Sequence, residues 1–268
     1  MTERERLQVN GYLVYPNVVP VALCQRVIED MKQHISGEDV DDFQPPDGYG
    51  WIEMYHYQSM WDVRQHPDVH KIFAELFGTE KLWVSIDRVN CKMPLDEHAE
   101  GHSFIHWDAC VNQNPRPFEV QGVVALADTD ENMGGFRCLP ELYRNLDTWL
   151  AGQPCGKAQS PFLKPPYPYG PVVKVPMRAG DLLVWDSFLP HGNGPNRGEE
   201  PRHAQYVTMT LPGDDRLRQE RVGCWVNNAP PSGWAFPGDA RGIEQRRVRP
   251  TELTCLGSQL LGLLRWGE

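Results

Sequence analysis

From Lys81 onward the chain divides into short runs rich in β-branched and aromatic residues, each closed by Gly, Pro, Asn or Asp. The runs are "KLWVSIDRVNCKM", "SFIHWDACV", "EVQGVVALAD", "GGFRCLP", "VVKVP", "DLLVWDSFL" and "HAQYVTMTL". Such runs are short for a stable helix, and their composition suits the pleated surface of a sheet. Many short strands separated by turns restrict the architecture to a sandwich, a jelly roll or a barrel. Pro and Gly, 24 of each, supply the turns without reaching the content of a disordered or collagen-like chain.

Two earlier segments repeat their apolar residues at helical spacing. "VPVALCQRVIEDMKQHISG" places Cys24, Val27, Ile28, Met31 and Ile35 on one stripe between Pro20 and Gly37. "HPDVHKIFAELFG" does the same with Val69, Ile72, Phe73, Leu76 and Phe77 between Pro67 and Gly78. "GYLVYPN" reads as a strand, "LYRNLDTWLAGQP" as a short helix and "SPFLKPPYPYGP" as a Pro-rich loop. Near the end, "TELTCLGSQLLGLLRWG" aligns Leu253, Leu256, Leu260, Leu261 and Leu264 as a helix that covers the β core or a subunit contact. The expectation is a mostly β fold with flanking helices, as one domain over 1–268. It has a helical N-terminal part over 1–80, a β core over 81–212 and a C-terminal extension with a helix over 213–268.

A formal charge of −10 and a pI near 5.4 argue against nucleic acid or an anionic membrane as the main partner. No apolar run approaches the roughly 18 residues of a membrane span, and "MTERERLQVN" is too charged for a signal peptide. The seven cysteines are scattered with no C-x-x-C, which suits a reducing compartment. A cytoplasmic protein is therefore expected.

The chemistry is concentrated in two places. In "SFIHWDACVN", His106 and Asp108 flank Trp107; in an extended strand they share one face and Trp107 points away. An imidazole and a carboxylate on one face are two members of the 2-His-1-carboxylate set that suits non-haem Fe(II). In "AGDLLVWDSFLPHGNGPNRGEEPRHAQYVTM", a strand from Asp181 to Leu189 runs into His191, which can be the third ligand. Arg202 opens the next strand, on one face with Ala204, Tyr206 and Thr208; an arginine inside a small barrel requires an anion, and its fork matches a carboxylate. Arg197 lies in the solvent-facing turn "GNGPNRGEE". Each residue has a plainer reading: an ion pair for His106 and Asp108, a turn cap for His191, a surface pair with Glu199 or Glu200 for Arg202. A metal-binding jelly roll acting as isomerase, sensor or binding module is the alternative function, and it needs no interior Arg202.

With "NGYLVYPNVV", "HWD", the "GG" strand leading to "CLPELYRN", and "AGDLLVWDSFLPHGNGPNRGEEPRHAQY", the chain resembles the Fe(II)/2-oxoglutarate-dependent oxygenases of the phytanoyl-CoA dioxygenase type. The resemblance implies a double-stranded β-helix core, a cupin-like jelly roll, with N-terminal helices packed on it. It implies that His106, Asp108 and His191 hold Fe(II) and that Arg202 grips the distal carboxylate of 2-oxoglutarate. Lys92, in "NCKMP", falls where many relatives carry a second basic group near that cosubstrate. The partners implied are a small-molecule substrate and O2, with succinate and CO2 released. Three departures bear on the pockets: Trp107 where Gln is common, Asn193 where Ser follows His-Gly, and "PELY" where many members have "PGSH". Asn193 thereby becomes a cosubstrate contact and Trp107 a candidate substrate contact, and an acyl-CoA substrate is not inherited. The retained Asp108 disfavours the halogenating variants.

Substrate recognition has one further candidate. "FQPPDGYGWIEMYHYQSMW", residues 43–61, concentrates Tyr49, Trp51, Met54, Tyr55, Tyr57 and Trp61 between the two helices. It reads either as a lid, with Trp51 and Tyr57 on the substrate, or as a loop packing its aromatics on the barrel. His102, four before His106, is a candidate outer partner of the site or simply loop.

Overall fold

The computed structural model describes residues 1–37, 46–95, 104–247 and 250–267. The N-terminal part runs α1 (Glu3–Asn10), β1 (Tyr12–Tyr15), α2 (Val21–Ser36), β2 (Trp51–Ile52), α3 (Gln58–Arg64) and α4 (Pro67–Phe77). As the spacing predicts, α2 begins after Pro20 and ends at Gly37, and α4 carries Pro67 in its first turn and ends at Gly78. Each buries its apolar stripe. α1 escapes a periodicity argument because only Leu7 is buried along it; a capping box between Thr2 and Glu5 marks its start instead.

The strands that follow are β3 (Trp83–Val84), β4 (Val89–Lys92), β5 (Ile105–His106), β6 (Val120–Ala125) and β7 (Phe136–Cys138). After the short helices α5 (Pro140–Arg144) and α6 (Leu146–Ala151) come β8 (Phe162–Leu163), β9 (Val173–Lys174), β10 (Leu182–Asp186), β11 (His191–Asn193), β12 (Arg202–Tyr206) and β13 (Met209–Thr210). They form a six-stranded sheet in the order β1-β10-β6-β12-β4-β2, a five-stranded sheet β8-β5-β11-β7-β9 and the pair β13-β3. Their ladders are antiparallel.

Strand alternation produces three layers. Val123, Ala125, Leu183, Trp185 and Ala204 of the large sheet meet Phe136 and Cys138 of the small one, so the two sheets lie face to face. The opposite face of the large sheet, including Val120, Val124, Leu182 and Val184, joins Val27 of α2 and Phe73 of α4 in the main core. Behind the small sheet, Ile105, Trp107 and Leu163 pack with Leu142 and Leu146 of α5 and α6. Because β6 and β10 are covered on both faces, they read in sequence as nearly unbroken apolar runs.

Three local expectations change. β10 ends at Asp186 and His191 opens a separate strand in the other sheet, because the chain crosses between sheets at Ser187–Pro190. The Pro-rich loop contains β8, which has little periodicity in two residues but pairs with β5. Among its described residues the C-terminal extension holds two helices, α7 (Asp215–Val226) and a short α8 (Cys255–Leu261). α7 has no fully buried residue, whereas Leu260 and Leu261 of α8 enter the main core. No helix among the described residues is long and apolar enough to cross a membrane.

The tie between the extension and the N-terminal part has a pH consequence. Glu244 accepts the backbone N–H groups of Tyr55 and His56 at 2.7 and 2.6 Å. The fully buried His56 ring bonds the Ala229 carbonyl at 2.9 Å and accepts from Trp61 Nε1 at 3.3 Å, a pattern satisfied by the neutral ring. Burial, aided by Arg64 and Arg247, pushes its pKa down to about 3. Burial likewise takes His34 and His203 down to about 4, and raises Glu244 to about 7. The unfolded chain binds protons on these histidines that the folded chain refuses. Their stabilisation is complete above about pH 6.5 and is lost as the pH falls, at roughly 1.4 kcal/mol per group per pH unit. Glu244 opposes them only between its unfolded and folded values, near pH 4.5 to 7. The melting temperature is therefore expected to fall from pH 6.5 to 4, with a shallower slope in His56→Gln; a flat profile in the unmodified protein contradicts the assignment.

Candidate metal centre

His106 closes β5 and His191 opens β11, and the two residues are direct partners across the antiparallel ladder. That register brings their rings to 4.9 Å between centroids. β5 stops at His106, so Asp108 reaches the same place through a bend rather than by strand alternation. His106 Nε2 lies 3.1 Å from Asp108 Oδ1 and His191 Nε2 lies 3.3 Å from Asp108 Oδ2. One donor atom from each residue falls within 4.8 Å of the other two.

Several groups fix these side chains. His191 Nδ1 donates to the Leu189 carbonyl at 2.9 Å, which leaves the lone pair on Nε2 facing Asp108. Phe136 stacks on the His191 ring at 5.6 Å. Gly192 is required beside it, because a Cβ there would collide with the Phe104 carbonyl oxygen. His106 Nδ1 is buried without a hydrogen-bond partner among the described residues, and its ring is set by packing against Phe104 and Phe162. Gln121, on the inward face of β6, donates from Nε2 to Asp108 Oδ2 at 2.9 Å. Burial raises the Asp108 pKa, but the adjacent His106 and His191 rings outweigh it and hold the carboxyl well below the usual carboxylate range. The set is thus an ionised carboxylate and two imidazoles on one face.

The three residues line a cavity of about 260 Å³ shared with Trp51, Arg88, Gln121, Asn193 and Tyr206. Asn193 Nδ2 donates to the Tyr206 hydroxyl at 2.8 Å. The Arg88 guanidinium lies 4.2 Å from the centre of the Trp51 ring and pairs with Glu53 at 2.9 Å. Arg202 and Lys92 are also register partners and are both buried. Neither lines the cavity, and Arg202 Nη1 donates to Asn90 Oδ1 at 3.0 Å. Burial first, then repulsion from Arg202 and Arg137, pushes the Lys92 pKa down to about 8. Arg137 is the register partner of Gly192. Arg202 and Arg137 thus bring positive charge close to Lys92, offset in part by Asp47.

The phytanoyl-CoA dioxygenase family model matches residues 7–204, nearly three quarters of the chain. The chain belongs to the phytanoyl-CoA dioxygenase family. A candidate phytanoyl-CoA dioxygenase of Dictyostelium discoideum is 24% identical over 256 residues, covering 74% of this chain and 72% of that protein. "Ava biosynthesis cluster protein O" of Aspergillus versicolor is 25% identical over 170 residues, covering 58% of this chain and 54% of that protein. Among solved structures, the GlcNAc-inducible gene 2 product of Candida albicans superposes with a TM-score of 0.73 at 14% identity, covering 99% of this chain and 76% of that one. The epimerase SnoN, solved with Fe3+, alpha-ketoglutarate and nogalamycin RO, gives 0.55 at 19% identity, covering 77% and 83%. These likenesses establish a shared fold.

Within this member of the phytanoyl-CoA dioxygenase family the structure brings together His106, Asp108, His191, Asn193 and Trp51, whereas Arg202 and Lys92 pair with each other and do not line the cavity. It separates two others. Trp107 is buried in the outer layer, its Nε1 donating to the Phe188 carbonyl at 2.9 Å and its ring 5.5 Å from Trp149, so it does not line the cavity. Tyr57 is packed in the main core, its hydroxyl 3.2 Å from His34 Nδ1 and its ring under Arg247. Both are large apolar rings that the fold uses to join layers. Met54, Tyr55 and Trp61 share the core with Tyr57, so the packing reading holds for most of the described aromatic segment, and among its described aromatics only Tyr49 and Trp51 approach the site. Positions 43–45 and His102 lie outside the described residues.

Gln121 and Arg137 were not singled out from the sequence, although each is the polar exception in a largely apolar run, "EVQGVVALAD" and "GGFRCLP". Gln121→Leu keeps the volume and removes the bond to Asp108. Losing such an outer partner typically costs about 10–100-fold in metal affinity or activity. Fe(II) or Co(II) titration of the variant measures the affinity, and wild-type affinity together with wild-type activity would leave Gln121 as lining only.

Proposed function

We propose that the protein is an Fe(II)- and 2-oxoglutarate-dependent dioxygenase that hydroxylates, or otherwise oxidises, a small-molecule substrate with release of succinate and CO2. The two face-to-face antiparallel sheets are read as its double-stranded β-helix. The observation that carries the proposal is the convergent His-Asp-His triad, with Lys92 and Arg202 buried as register partners in the sheet that faces it. The donor set fits the metal: two imidazole nitrogens and one carboxylate converge, and the bond from His191 Nδ1 to Leu189 leaves Nε2 for ligation.

His106, Asp108 and His191 would hold the iron, and Arg202, aided by Lys92 and Asn193, would hold 2-oxoglutarate. Iron and 2-oxoglutarate together supply the activation of O2, which no side chain of the protein provides. The chain's own work is positioning and shielding. Gln121 anchors Asp108, and Leu189 orients His191. Trp185 and Phe136 wall the centre with apolar surface that excludes water on the core side. Arg202 offers a buried planar fork, so a dicarboxylate gains a bidentate, charge-assisted contact with little competition from water. A metal-binding jelly roll without oxygenase activity has no use for that arginine, and the buried cations therefore favour the oxygenase.

Anaerobic addition of Fe(II) and then 2-oxoglutarate is expected to give a metal-to-ligand charge-transfer absorbance. Admission of O2 with candidate metabolites should then give succinate matched to substrate mass gain. Absence of the absorbance in metal-loaded protein rejects the cosubstrate. Free cysteines throughout suit a cytoplasmic setting.

The two aromatic candidates should now behave differently. Trp51→Ala is expected to raise the apparent KM for the primary substrate by about fivefold, on the order of 1 kcal/mol, or to uncouple 2-oxoglutarate consumption. Tyr57→Ala should leave KM unchanged and lower stability by roughly 3 kcal/mol. Steady-state kinetics and thermal melts of the pair test this, and the reverse pattern would assign Tyr57 to the substrate.

A further inference from the structure

We infer that Tyr49, Phe104 and Phe162 form a rim subsite that receives a flat, aromatic part of the primary substrate, resting on the reading of the adjacent centre as an oxygenase site. The three rings are 41%, 37% and 53% exposed, yet they touch one another. Tyr49 and Phe104 lie 6.1 Å apart at 74°, and Phe104 and Phe162 lie 5.3 Å apart at 80°. None of them belongs to the buried clusters that hold the sheets and helices together. Contiguous exposed aromatic surface of this kind marks a binding site more often than isolated exposed residues do.

The patch is continuous with the centre. Phe104 is 4.9 Å from the His106 ring, and Phe162 is the direct strand partner of His106 with its ring at 6.3 Å. Ile105 and Leu163, the intervening pair, turn into the outer layer, so alternation sends Phe104, His106 and Phe162 to the site side. The cavity of about 260 Å³ sets Gln121, Asn193, Tyr206 and Arg88 among Trp51, Val123, Phe136 and Trp185, and the cosubstrate occupies part of that small volume. The exposed rings extend its apolar surface outward past His106, where a flat part of the primary substrate is received. Two rings set nearly at right angles to a third leave faces and edges exposed, which an incoming ring meets in offset or edge-to-face geometry; an aliphatic chain gains no such contact.

The test loads the protein with Mn(II) and 2-oxoglutarate and follows 19F relaxation of 5-fluoroindole, with 4,4-difluorocyclohexanol as the aliphatic comparison. Saturable enhancement is expected for 5-fluoroindole, at least fivefold tighter than for the aliphatic probe. A Tyr49→Ser variant, altered at an exposed rim position, is expected to lose at least fivefold in probe affinity while Mn(II) affinity, read by electron paramagnetic resonance, stays within threefold. Equal binding of both probes, or no enhancement in Mn(II)-loaded wild type, overturns the subsite and leaves the metal reading intact. A fall in Mn(II) affinity without a fall in probe binding assigns the rings to holding His106 and also overturns it. Failure of the wild type to bind Mn(II) at all removes the oxygenase reading and the subsite together.

Discussion

Asp108→Ala, His106→Ala and His191→Ala are each expected to abolish 2-oxoglutarate turnover and to weaken Fe(II) retention by more than about 100-fold. The bound on the loss comes from comparison with outer partners, whose removal already costs roughly 10–100-fold; a ligand removes a direct bond. Asp108 should give the largest effect. It is within 3.1 Å of His106 Nε2 and 3.3 Å of His191 Nε2, and it brings the only negative charge of the three ligands. Without it two imidazoles face each other with ring centroids 4.9 Å apart and no counter-charge between them. Metal analysis after anaerobic gel filtration, beside single-turnover succinate release, measures both effects. Wild-type iron content and activity in all three variants would falsify the site.

Arg202→Ala should weaken 2-oxoglutarate binding by about 30-fold to several-thousand-fold, whereas Arg197→Ala should change it by less than tenfold. The difference follows from burial. Arg202 is 3% exposed, is held by Asn90 and shares its surroundings with Lys92, so losing a desolvated partner of a carboxylate costs roughly 2–5 kcal/mol. Arg197 is exposed in its turn, where an ion pair contributes at most about 1 kcal/mol. Anaerobic titration of the Fe(II)-loaded variants, following the charge-transfer absorbance, gives both constants. A larger loss from Arg197→Ala would reassign the carboxylate anchor.

Much of the scaffold was legible because it rests on local rules. Pro20 and Gly37 bound α2, Pro67 and Gly78 bound α4, and the β-branched runs after Lys81 became strands. Residue types and order also marked His106, Asp108, His191 and Arg202 as a set, since ligand chemistry is carried by side-chain identity. Elements with weak local signals were not legible. α1 buries one residue and α7 none, so their apolar spacing says little, and β8 has only two residues.

What the sequence determined by itself was therefore the β-rich architecture and the candidate ligands. The tertiary structure decided which side chains meet. His191 joins His106 through a pairing between separate strands, and Gln121 reaches Asp108 from the opposing sheet. Arg202 pairs with Lys92 along one sheet, and Arg137 acts on Lys92 from the other. Trp51 and Tyr57, six positions apart in one aromatic segment, part company, one to the cavity and one to the core. The physical reason is that alternation and spacing specify which face of an element a residue occupies, while the partner across that face is set by register and layer packing between segments far apart in the chain.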